Sequence, residues 1–211
     1  MTQAIPQDAG KVRDLTRRER RKLEVRRRIL EAAEALFDAH GVAATRVQEI
    51  CERADVAPRT FFNHFETREH LYEAIARQRA VQFAEQLDAL CADRRPLARR
   101  LNELFAAVGA HLSARPPYRE LVAEMLRLRH QGGSEFTRSG ILGKAVLRFV
   151  RDGVARGEIG RRHRPEVLCD LLLGALTVAI GNWSADSGFD LEQDLAHAAR
   201  ALLDLFSSGR R

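Results

Sequence analysis

The sequence predicts an all-α chain of about nine helices. Apolar residues recur at spacings of three and four along most of the 211 residues, and no segment alternates at period two for long enough to make a strand. Breaks at Pro96, at Pro116 and Pro117, at Gly132 and Gly133, and at Gly157 and Gly160 then separate each periodic segment from the next.

The elements follow in order. Residues Met1 to about Leu15 have no apolar period, and the stretch to residue 21 is expected to form a basic, flexible arm. Arg17 to Arg28 is either the exposed start of the first helix or an arm that orders on a phosphate backbone. Ile29, Leu30, Ala33, Leu36 and Phe37 form a clear helical stripe that ends at Gly41, a good residue for a helix C-terminus. Thr45 is the expected N-cap of the next helix, with Gln48 three residues on as its capping-box partner and Val47, Ile50, Cys51 and Ala54 as its apolar face. Asp55 sits where the chain must turn with positive φ, which aspartate tolerates better than most residues. Pro58 suits a first helical position and opens a short helix carrying Phe61, Phe62 and Phe65. Two short helices joined by this corner make a helix-turn-helix, which completes a three-helix N-terminal domain. Thr67 caps a long helix with Leu71, Ile75, Phe83, Leu87 and Leu90 on one face.

Three further helical segments hold Leu101, Leu104, Phe105, Val108 and Leu112, then Leu121, Val122, Met125 and Leu128, then Leu142, Val146, Phe149 and Val150. From Val167 to Trp183 the chain is apolar almost all the way round, with Asp170 its only charge, so this helix must be covered on most sides. The last helix starts at Asp190, with Gln193 completing a capping box, and aligns Leu191, Leu195, Ala198, Leu202 and Phe206. Burial of these two helices against a second copy is the simplest solution, with Leu172, Ala175, Leu176, Ala179, Leu195, Leu202 and Phe206 at the interface.

A 45% hydrophobic and 30% charged composition belongs to a soluble globular protein. No apolar run reaches the roughly 18 residues of a membrane span and the N-terminus is polar and charged, so a cytoplasmic location without membrane contact is expected. Cys51, Cys91 and Cys169 have no CxxC spacing, which argues against a disulfide framework or a zinc site, and no cofactor or metal is expected. The charge is +6, yet Lys11 to Arg28 alone holds ten basic residues against three acidic ones. The positive field is thus concentrated beside the helix-turn-helix, which points to a polyanion.

The run from about Arg27 to Ala76, above all APRTFFNHFETREHLYEAI from Ala57 to Ile75, resembles the DNA-binding domain of the TetR family of bacterial transcriptional regulators. Thr60, Phe61, Phe65, Glu69 and Leu71 match the family pattern, Phe62 and His64 stand for its two tyrosines, Arg59 for a glycine and Arg68 for its lysine. The resemblance covers about a quarter of the chain. It implies a DNA-binding domain over 22–84, with the helix-turn-helix at about 46–65, and a helical regulatory and dimerisation domain over 85–211. It also implies a homodimer that binds an inverted-repeat double-stranded operator, with repression the expected mode.

The first residues of a recognition helix face base edges in the major groove. Pro58, Arg59 and Thr60 are therefore candidates, Arg59 first because a guanidinium can pair bidentately with guanine. Asn63 lies one turn on. The resemblance places Phe62 and His64 near the sugar-phosphate backbone. Thr45 and Arg46, at a helix N-terminus, and Arg68 are expected to hold phosphates. A small hydrophobic effector, unidentified, is expected between the middle helices and the long helix, with Phe105, Met125, Phe149 and Trp183 as lining. An enzyme is disfavoured, since seven scattered histidines show no ligand spacing and neither a glycine-rich phosphate loop nor GxSxG is present. A helical adaptor that uses its basic arm on RNA or an acidic protein is the remaining alternative.

Overall fold

The computed structural model describes residues 16–129 and 137–207. Most of the expected N-terminal arm, and the break at Gly132 and Gly133, lie outside the described residues. Nine helices run through the described chain: α1 (Arg17–His40), α2 (Val47–Ala54), α3 (Pro58–His64), α4 (Arg68–Ala92), α5 (Leu97–Ser113), α6 (Tyr118–Arg129), α7 (Ile141–Ala155), α8 (Pro165–Ala185) and α9 (Leu191–Ser207). The described chain contains no strand.

The arm ends earlier than expected. Thr16 caps α1, its hydroxyl accepting from the Glu19 N–H while the Glu19 carboxylate accepts from the Thr16 N–H, so residues 17–21 are helical and exposed. Capping of α2 also differs from expectation. Thr45 is only 1% exposed and its hydroxyl donates back to the Gly41 carbonyl, so Arg46 becomes the N-cap residue and Glu49, three on, accepts its N–H at 2.6 Å. Gln48 donates instead to Glu52. Asp55 does take the left-handed conformation, with φ of 52°, and the Thr67 hydroxyl accepts from the His70 N–H at the start of α4.

α1 packs on α2 and on the N-terminal part of α4, which then leaves the small domain and lies along α7 and α6. Around it α5 pairs with α9, and α8 is covered by α6, α7 and α9. The far end of α4 is fixed by two arginines that take its terminal carbonyls. Arg100, fully buried, donates to the Leu90 and Arg95 carbonyls and pairs with Glu158, while Arg156 donates to the carbonyls of Cys91 and Asp93. A helix end leaves the Leu90 and Cys91 carbonyls without intrahelical partners, and a cation there also meets the negative end of the dipole.

The expected interface residues face the wrong way. Leu172, Leu176, Ala179, Leu195, Leu202 and Phe206 are buried within the protomer, and Ala175 is half-buried. The richest leucine stripe of α8 serves the chain's own core, and a thinner one is left outside: Val167, Leu171, Gly174 and Val178, the last 62% exposed. The hydropathy of α8 also needs correcting. By length and mean hydropathy it could span a membrane, which a search for uninterrupted runs misses because Asp170 breaks the segment. In the fold its inner side is spent on the bundle, with Leu168, Leu172, Leu173 and Trp183 buried.

Removing the Arg100 side chain would leave the end of α4 unpaired and Glu158 without its counter-charge. Arg100→Ala is expected to lose about 3 to 5 kcal/mol of stability in urea unfolding, the usual result of breaking a buried pair.

Candidate nucleic-acid interface

α3 is seven residues long, too short to stand without packing. Phe61 and Phe65 supply that packing as buried anchors, with ring centroids 5.8 Å apart. Pro58, Arg59, Phe62 and Asn63 are all exposed on the opposite side, and Thr60 is half-buried. Phe62 keeps half its surface in solvent and leans edge-on against Phe61 at 5.3 Å. Arg59 makes no ion pair among the described residues, so its guanidinium is available to a base edge.

Behind α3 stand two arginines of α1. Arg26 lies over the Phe65 ring at 4.3 Å and donates to the His64 carbonyl at the end of α3. Arg28 donates to the carbonyl of Asp55 at the corner and faces its carboxylate at 3.8 Å. Read as charge alone, both belong to the polyanion-binding run, whereas in the fold they position the corner and the recognition helix. A signal was present, because Arg26 falls in line with Leu30, Ala33 and Phe37 on the buried stripe of α1.

Arg68 is likewise turned inward. It donates to the Val42 carbonyl at 2.8 Å and lies 5.9 Å from the Tyr72 ring centroid, tying the start of α4 to the loop before α2. Its spacing of four from the buried Tyr72 was the clue. Thr45, buried as described, cannot reach a phosphate with its hydroxyl. Arg46 remains exposed at the N-terminus of α2. His64 is half-buried, with Nδ1 enclosed and unpartnered. Burial first, then the nearby charges of Lys22 and Arg26, hold its pKa below the usual histidine value.

Residues 29–75 match the family model described as bacterial regulatory proteins, tetR family. Over 193 residues the chain is 25% identical to the HTH-type transcriptional repressor DhaR of Mycobacterium sp. (strain GP1), covering 85% of this chain and 92% of that protein. It is also 25% identical over 193 residues to the HTH-type transcriptional regulator UidR of Escherichia coli (strain K12), covering 84% and 90%. Among solved structures, that of Thermus thermophilus FadR, a TetR-family transcriptional repressor in complex with lauroyl-CoA, superposes with a TM-score of 0.65 at 23% identity, covering 85% of this chain and 94% of that one.

Residues 29–75 thus carry the pattern of a TetR-type DNA-binding domain, and the chain resembles HTH-type transcriptional regulators over most of its length. The matched relatives are named as HTH-type transcriptional regulators.

Behind this interface lies a partly open cavity of about 380 Å³ lined by α4, α5, α6, α7 and α8. Its walls are mostly apolar, with Phe83, Leu112, Met125, Leu142, Leu173 and Ile180 among them. Of the four expected lining residues Met125 alone is there. Phe105 is fully buried in the core, Phe149 packs under the Arg100 guanidinium at 5.7 Å, and Trp183 lies under Arg119 at 4.5 Å. Size was a poor guide, since a large side chain that packs well closes space where a cavity needs it open.

The lowered pKa of His64 has a sign. The neutral ring is favoured in the fold, so its contribution to stability is complete above the unfolded value of about 6.5 and is lost as pH falls through the lower folded value. Below pH of about 6.5 the wild type should therefore lose stability more steeply than His64→Gln in parallel chemical melts.

Proposed function

We propose that this regulator binds an inverted-repeat operator as a homodimer, that it represses, and that a small ligand in the cavity releases it. The observation that carries the DNA-reading role is the exposed, unpaired Arg59 on a recognition helix braced from behind by Arg26 and Arg28. Arg59 reads a guanine, Asn63 and Thr60 touch neighbouring edges, and Pro58 and Phe62 give apolar contact to thymine methyls or sugars. Arg46 and the exposed basic residues at the start of α1 neutralise phosphates and set register. His64 lies beside the backbone and can donate to it only when its ring is turned suitably. Arg68 keeps its fold role and contributes little direct phosphate contact.

The dimer reading rests on the outer stripe of α8. Val167, Leu171 and Val178 are exposed large apolar groups in helical register, and a Cβ built on Gly174 between them would meet nothing within the protomer. That combination suits close approach of the same helix from a second copy, related by a twofold axis. Two heads so paired would enter major grooves about 34 Å apart or a multiple of it. Repression is supported by the name of DhaR, and a small ligand by the mostly apolar cavity and by the FadR complex with lauroyl-CoA. Its place of action would be the cytoplasm, with the chromosome.

Selection of bound fragments from the source genome, followed by footprinting, tests the reading directly. Arg59→Ala should cost about 1 to 3 kcal/mol at one position of each half-site and relax the base preference there. Unchanged specificity would remove Arg59 as a reader. Arg46→Ala should weaken all sequences alike and make the salt slope shallower by about 1 for each subunit. Val178→Asp, on the outer stripe, should leave the fold intact and yield a monomer in sedimentation; a persistent dimer would move the interface elsewhere.

A further inference from the structure

The polar end of the cavity has a one-sided chemistry. Among the described residues no aspartate or glutamate lines the cavity, whereas Arg79, His111 and Tyr118 do. The acids lie one layer behind, on α1 of the DNA-binding domain. Glu34, its side chain 15% exposed, faces the Arg79 Nε at 3.0 Å, and Asp38 faces Arg115 at 3.4 Å, which in turn contacts His111. Arg79 is thus at once a wall of the ligand cavity and the counter-charge of a carboxylate on α1. We propose that the effector is an apolar carboxylic acid whose anionic head is taken by Arg79, and that this exchange, by depriving Glu34 of its partner, is what loosens α1 from α4.

The inference rests on the cavity being the effector site. Its apolar walls accept a hydrocarbon or aryl body, and the single arginine among the lining residues fixes the sign of the head. A guanidinium matches a carboxylate geometrically and holds it more strongly than a neutral acceptor. Glu34 is suited to give way. Burial already raises its pKa against the pull of Arg79, so once the arginine turns toward the ligand the carboxyl can take a proton or move out to water. Both responses change the contact between α1 and α4. The neighbouring tie between domains, from the Ala43 N–H to the Glu120 carboxylate at 2.8 Å, does not involve a cavity residue. The Asp38 to Arg115 pair reaches the cavity only through His111, whereas in the Arg79 to Glu34 pair the counter-charge is itself a cavity residue, so that pair carries ligand chemistry to the head most directly.

The test uses the full-length protein and a panel of hexanoate, octanoate, decanoate and 4-alkylbenzoates, each compared with its primary amide by titration calorimetry. At least one carboxylate should bind about tenfold or more tightly than its amide. Arg79→Met should bring that pair to parity while keeping amide affinity, and Arg79→Lys should restore some of the preference. If Arg79→Met does not fold, the acid-to-amide ratio of the wild type and of Arg79→Lys still decides. The second readout is coupling, the factor by which the acid weakens binding to a genomic fragment recovered by selection, which must equal the factor by which that fragment weakens the acid. Glu34→Gln should keep acid binding and bring this factor close to 1. Equal binding of acids and amides would overturn the acid head while leaving the cavity as the effector site, and binding of neither would overturn both. Unchanged coupling in Glu34→Gln would overturn the role of the ion pair.

Discussion

A helix end leaves carbonyl oxygens without intrahelical partners, and this chain answers with guanidinium groups sent from another helix or loop. Arg100 and Arg156 do so at the end of α4, Arg119 at the end of α8 through the carbonyls of Trp183 and Asp186, and Arg26 at the end of α3. A guanidinium has five donors in a fixed fork, so one side chain can take two carbonyls and still stack on an aromatic ring. Arg119 takes two carbonyls while lying over Trp183, and Arg26 takes one while lying over Phe65. The short recognition helix and the long connecting helix owe their placement to this arrangement more than to their own propensities.

The arginines near the head therefore divide into two populations. Those in register with a buried stripe, Arg26, Arg28 and Arg68, are consumed in holding the corner, the recognition helix and the start of α4. Those off it, Arg46 and Arg59, face solvent. Counting charge along the sequence cannot separate the two, although helical phase relative to the apolar residues can. The electrostatic footprint offered to DNA is smaller than the run from Lys11 to Arg28 suggests, and the geometry behind it is correspondingly stiffer.

Much of the architecture was legible because it follows from local rules. Asp55 at positive φ, Pro58 opening a helix, Thr67 capping α4 and Asp190 accepting from the Gln193 N–H are all decided within four residues of chain. What failed depends on direction in three dimensions. Thr45 was displaced as cap by one residue because its hydroxyl found the Gly41 carbonyl, a tertiary fact about the end of α1. In α8, apolar nearly all round, periodicity could not say which stripe faces inward, and the leucine-rich one went to the protomer's core. A cavity is harder still, since it is defined by side chains that fail to meet, and Phe105, Phe149 and Trp183 meet their neighbours well.

These constraints converge on α4. Its 25 residues make a rod about 37 Å long. Arg68 and Thr67 fix one end in the head, Arg100 and Arg156 fix the other, and its middle forms a wall of the cavity. Under the proposal above, a ligand that shifts the middle of α4 acts on the head through the Thr67 and Arg68 attachments. The energetic demand is considerable. Moving a population from almost wholly bound to almost wholly released takes a differential affinity of about 10⁴, more than a change in shape of an apolar cavity readily supplies. Exchange of a half-buried ion pair is a stronger lever, because a charge left behind without its partner is costly in low dielectric. The pair that satisfies both conditions, one member in the cavity wall and the other on the helix behind the reading head, is Arg79 with Glu34.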